Sequence, residues 1–137
     1  MDSANFPFRA LRLRLIVGIS IMLLLALVHW FRVGSYLSGD LYILYYSYAS
    51  DLMLPFGCYF LLCMNEIQLP FLRHWFTKAA VVFLLMTFSE VMQYFDFYFF
   101  GTTFDPVDII MFGIGVLMAV LSDVLIFKKI FPLWSYD

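Results

Sequence analysis

Glu90 and Gln93 lie three apart inside one apolar run, Asp105 and Asp108 lie three apart at the mouth of the next, and Asp51 sits within an earlier one. Carboxylates in such places can hold a divalent cation, accept hydrogen bonds from amines and hydroxyls, or act as a general acid and base. A charge at the bilayer centre costs about 2.5–3.5 kcal/mol on insertion scales, so acids in membrane helices face a bundle interior or a wet cavity. Glu90 shares a helical face with Phe83, Met86, Thr87, Gln93, Tyr94 and Phe97, and no capping role is visible for it. Gln93, one turn further on, can hydrogen-bond the same partner.

Asp105-Pro106-Val107-Asp108 reads as a helix start. Asp105 suits the N-cap, Pro106 the first helical position, and both acids favour the positive end of the helix dipole. Capping accounts for Asp105 and Pro106. Asp108 also heads a stripe of Phe112, Gly115, Ala119 and Ser122, all within about 40° of one face. Small residues in that pattern let membrane helices approach closely, so Asp108 is expected to face the bundle. Asp51 shares its face with Pro55 and Cys58. The ligand-binding candidates are therefore Glu90, Gln93, Asp108 and Asp51. No cofactor or metal is assigned; a divalent cation, if bound, would take Glu90 and Asp108. The competing structural reading makes these acids interhelical hydrogen-bond partners and caps.

The elements that must position them follow from composition. The chain has 137 residues, 64% hydrophobic and only 13% charged, with mean hydropathy +0.92. Soluble domains carry about 25% charged residues, and a chain this short cannot internalise so much apolar surface. Lipid must cover it. Runs long enough to cross a bilayer fall at residues 15–31, 41–64, 75–94 and 106–126. The expectation is an all-α bundle of four transmembrane helices forming one domain over residues 1–137. The first run follows Arg9, Arg12 and Arg14 and has no small-residue cleavage site directly after it, so it reads as a retained helix. For the second run two placements stay open: a membrane that begins at Leu41 puts Asp51 near the middle, whereas an interfacial 41–48 puts it near the boundary.

Orientation comes from the basic residues. Arg9, Arg12, Arg14, Arg73, Lys78, Lys128 and Lys129 gather on one side and Arg32 stands alone on the other. The positive-inside rule then places both termini in the cytoplasm and turns the acids outward. His29, beside Trp30, reads as an interfacial residue and His74 as an ordinary cytoplasmic one. Cys58 and Cys63 project roughly 140° apart on a helix, too far for a disulfide, and read as packing residues. The chain has no HExxH, no glycine-rich phosphate loop and no evident Ser-His-Asp or Cys-His set. No basic patch beyond the flanks suits nucleic acid.

Glu90-Val91-Met92-Gln93, the loop glycine Gly101, and Asp108 with Gly115 resemble motifs of the VanZ-like family of small membrane proteins. That pattern pairs Glu-x-x-Gln on one helix with a Gly-Arg loop and a helix of the form Asp-x3-Asn-x2-Gly-x3-Gly. Asp51, Phe56 and Tyr59 match a further element, Asp-Lys-x-x-His-Phe-x-x-Tyr. The resemblance covers roughly residues 45 to 120. Thr102 replaces the family's Arg, Phe112 its Asn, Leu52 its Lys, Pro55 its His and Ala119 its second Gly. The acids and Gln93 stay while the basic positions are lost, which suits a cation, an amine or a hydroxyl-rich group. The family is associated with low-level resistance to a glycopeptide antibiotic acting at the cell envelope.

Three functions are in view. The first is an envelope-facing binding or accessory protein whose acidic pocket takes a lipid headgroup or cell-wall precursor. The second is a membrane-embedded metal- or carboxylate-dependent enzyme acting on a lipid-linked substrate, disfavoured by the missing catalytic sets. The third is a structural, partner-binding subunit. The expected partner is the lipid bilayer, with a homo-oligomer an open alternative.

Overall fold

Four long apolar stretches, each broken by a polar or glycine-bearing connection, make four helices. The computed structural model describes residues 6–97 and 104–135. Within them α1 spans Phe6–Trp30, α2 Asp40–Met64, α3 Trp75–Tyr94 and α4 Pro106–Leu121. α4 continues through a π-helical stretch, Ser122–Phe127, into Lys128–Ile130, and a 3-10 turn, Pro132–Trp134, follows. Further 3-10 turns, Val33–Tyr36 and Pro70–Arg73, join α1 to α2 and α2 to α3. All four long helices, taking the fourth as Pro106–Ile130, are long and apolar enough to cross a membrane. The loop residues Gly101 and Thr102 lie outside the described residues.

Successive helices alternate in direction. The start of α1, the α2–α3 connection, the start of α3 and the C-terminal turn meet at one end, where Arg14 contacts Glu66 and Trp134. That end is called the Arg14 end; the opposite one, with the last turns of α3 and the start of α4, is the Glu90 end. α1 begins nine residues before the apolar run at Leu15, because Ala10, Arg14 and Gly18 form one buried face. Its remaining surface exposes Ile16, Ile19, Leu23, Leu24 and Leu27. Apolar side chains turned outward on a helix this hydrophobic belong against lipid.

The core joins Tyr59, Phe60 and Cys63 of α2, Val82 and Met86 of α3, and Phe112, Val116 and Ala119 of α4, capped by Trp134. α2 and α4 run in the same direction and pack most closely. At Gly115 an added Cβ would stand 2.3 Å from the Leu52 carbonyl oxygen and 2.8 Å from Pro55 Cγ. Only a glycine admits the α2 backbone there, as small residues do where membrane helices cross. The stripe expected to face the bundle does so: Phe112, Gly115 and Ala119 are buried. α2 is one continuous helix from Asp40, with Asp51 twelfth of its 25 residues, so Asp51 lies near mid-helix.

Candidate functional site

The four sequence-derived candidates come from three helices. Glu90 sits four residues before the end of α3 and is 2% exposed. Its Oε2 accepts from Gln93 Nε2 at 2.9 Å, as the i, i+3 spacing allows. Its Oε1 accepts from the backbone N–H of Asp105 at 2.7 Å. Glu90 therefore does have a capping role, invisible in the sequence because its partner lies 15 residues on, across a loop. Asp105 is the N-cap of α4, its Oδ1 accepting from Val107 N–H at 2.9 Å, and Pro106 follows in the first turn. Asp108, in that turn, is half-buried.

Asp51 and Asp108 both interact electrostatically with Glu90 and Asp105, and Asp108 also with Asp51. All these neighbours are carboxylates; among the described residues no Lys or Arg acts on either acid. Pro55, inside α2, has no N–H to offer the Asp51 carbonyl, which loses its usual helical partner. The buried Gln93 is also half-satisfied. Its Nε2 donates to Glu90, while its Oε1, together with Ser89 Oγ and Thr87 Oγ1, has no partner among the described residues. Buried polar atoms are nearly always paired, so unpaired ones on a single helix segment point to a ligand or water. The Gln93 oxygen needs a donor, while the two hydroxyls can donate or accept.

A second polar cluster, at the Arg14 end, was not singled out from the sequence. Arg14, Glu66, Lys78 and Asp123 are each at most 3% exposed. Lys78 Nζ pairs with Glu66 Oε1 and, at 3.0 Å, with Asp123 Oδ2. Arg14 reaches Glu66 Oε2 at 3.3 Å and donates to the Trp134 carbonyl at 2.6 Å. Asp123 also accepts from Tyr59 OH and Trp134 Nε1, both at 2.6 Å. The guanidinium lies 5.1 Å from the Trp134 ring centre and the ammonium 5.0 Å from that of Tyr59. The π-helical stretch of α4 carries Asp123 into this cluster.

One expectation changes here. Arg14 and Lys78, counted among the basic residues of the cytoplasmic side, are interior residues, although Arg9, Arg12, Arg73 and Lys129 remain exposed. Cys63 packs in the core as expected, and its Sγ and carboxylate oxygens of Glu66 and Asp123 lie within 4.8 Å of one another, a spacing compatible with a metal. The residues present do not favour one, because the Lys78 ammonium already bonds both carboxylates. Two cations balance two anions, and every carboxylate is paired. Such a network is a lock between helices. Cys58 and Cys63 are both free thiols.

Comparison of the chain with protein-family models, with curated proteins and with solved structures gives no match. The VanZ-like resemblance therefore rests on the quoted residues alone.

Proposed function

We propose that this is a small VanZ-like integral membrane protein of the cell envelope whose Glu90 end binds a cationic or hydroxyl-rich group. The site is formed by Glu90, Gln93, Asp108 and Asp51. The chemistry fits the ammonium or polyol part of a lipid headgroup or cell-wall precursor. One observation carries the reading: carboxylates from three helices act on one another without a Lys or Arg among them, beside a buried Gln93 oxygen that lacks a donor. A ligand bearing positive charge or several hydroxyls satisfies both. The excess of exposed basic residues at the Arg14 end supports an orientation with both termini cytoplasmic and the pocket facing outward.

The rival reading, in which Glu90 only ties α3 to the start of α4, draws on its bond to the Asp105 N–H. Glu90→Gln separates the two, because the amide oxygen can still accept from Asp105 while the charge is gone. The test is binding of phosphatidylethanolamine, against phosphatidylcholine, by purified protein in nanodiscs. Loss of that preference in Glu90→Gln and Asp108→Asn, at unchanged membrane abundance and with altered glycopeptide susceptibility of the cells, supports the pocket. Unchanged binding and susceptibility in both variants leaves only the tie.

A further inference from the structure

His29 and Arg32 belong to neither cluster. With Val28, Tyr42, Tyr45 and Tyr46 they line a polar cup of about 410 Å³ where α1 gives way to α2. His29 also forms part of a second recess, of about 270 Å³, walled by apolar residues that include Met22, Leu25, Met53, Leu54 and Gly57. The two recesses share His29 in their linings, which sets the cup with Arg32 and three tyrosines beside an apolar trough between α1 and α2. The trough's α2 wall runs from Ser50 to Leu61, about 16 Å at the helical rise per residue.

The turn that presents the cup is unusual. Arg32 holds a left-handed backbone, φ 48° and ψ 50°, where a helix usually ends on Gly or Asn. Its carbonyl accepts from both the N–H and the hydroxyl of Ser35, each at 2.7 Å. Gly34, the next residue but one, lies against Tyr45, whose ring would stand 2.1 Å from an added Cβ. The turn and the tyrosine are therefore fitted to each other. Arg32 is the only Lys or Arg between residues 15 and 72, it is exposed, and the ion pairs of the described residues leave it out.

We propose that cup and trough together bind an anionic phospholipid. Arg32, His29 and the tyrosine hydroxyls take the phosphate, and one acyl chain lies in the trough between α1 and α2. The occupant follows from the match of polarity along the site. Positive charge and hydroxyl donors stand where a headgroup sits, and beside them runs an apolar channel of acyl-chain length. A free anion would leave the trough unused, and a neutral amphiphile would leave Arg32 unanswered. An ordinary interfacial belt of tyrosines would attract lipid without choosing among headgroups. The site shares no residue with the Glu90 pocket.

The test uses the full chain in phosphatidylcholine nanodiscs at low salt, with spin-labelled phosphatidylglycerol and spin-labelled diacylglycerol as probes. The wild type is expected to hold phosphatidylglycerol about fivefold more tightly, the ratio one interfacial Arg supplies. The double variant His29→Gln, Arg32→Gln should lose that preference, and Leu54→Trp, which fills the trough that takes an acyl chain of either probe, should weaken the binding of both. These residues are exposed or half-buried, so the bundle should survive, and unchanged far-UV circular dichroism checks this. Equal preference in wild type and double variant overturns the proposal. So does displacement of the lipid by excess inorganic phosphate together with full binding in Leu54→Trp, which would make the cup an anion site with no lipid component.

Discussion

Replacing Lys78 by methionine removes the cation from a place where two carboxylates have nowhere else to go. Lys78 is 1% exposed and pairs with Glu66 and Asp123, themselves 3% and 0% exposed. Methionine fills the same space without charge. Asp123 would keep the Tyr59 and Trp134 donors and Glu66 would keep Arg14, but one negative charge would be left over. Breaking a buried ion pair in this way costs about 3–5 kcal/mol. Ordinary hydrogen bonds between membrane helices average only about 0.6 kcal/mol and reach about 1.7. The two magnitudes decide what the cluster is. Reversible unfolding in mixed detergent and SDS micelles, followed by circular dichroism, should show Lys78→Met losing about 3–5 kcal/mol. Adding Asp123→Asn to the same chain restores charge balance, Arg14 against Glu66, and should recover about 1–3 kcal/mol of coupling. A loss below about 1 kcal/mol for the single variant, or a double variant as unstable as the sum of both singles, would refute the lock.

The remaining expectations concern helix contact and capping, all read by the same unfolding measurement. Gly115→Ala drives a methyl into the Leu52 carbonyl, which cannot swing away, and should destabilise by about 1–3 kcal/mol. Gly113→Ala meets only a Phe83 ring carbon at 3.6 Å and should be tolerated or mildly stabilising. Glu90→Ala leaves the Asp105 N–H without its acceptor and should cost about 1–3 kcal/mol, whereas Glu90→Gln should cost less than half of that. Trp134→Phe removes the donor to Asp123 Oδ1 while keeping the ring against Arg14 and Phe127, and should cost about 1–2 kcal/mol.

Four helices were legible because lipid demands long apolar runs and leaves little room for other solutions. The inward face of α4 was legible too, since Asp108, Gly115 and Ala119 repeat at helical spacing. Periodicity shows which way a residue points but not what it meets. Glu90 was correctly placed inside the bundle, yet its bond to the Asp105 N–H depends on where the start of α4 sits against the last turn of α3. The Arg14 end shows the same limit more sharply. Arg14 and Lys78 sit at the edges of apolar runs, where the positive-inside rule counts charge and takes no account of side-chain direction. Glu66 looks like part of a polar connection, and only the return of the chain at Pro70–Arg73 sets it between Arg14 and Lys78. Asp123 was the readable signal: it is an acid within the fourth apolar run, and the rule that singles out Glu90 applies to it equally. Trp134 lies beyond the last span, where nothing in the local pattern indicates that the tail turns back over the core.

The central claim is that Asp51, Glu90 and Asp108 line one hollow, open to water on the side away from the cytoplasm. Thiol labelling in intact cells tests it most directly, using Asp51→Cys and Asp108→Cys in a Cys58→Ala, Cys63→Ala background with a membrane-impermeant maleimide. Asp51 lies near the middle of α2 and Asp108 in the first turn of α4; both cysteines are predicted to label from outside. Labelling of Asp51→Cys only from the cytoplasmic side, or from neither side while Asp108→Cys reacts, would contradict it.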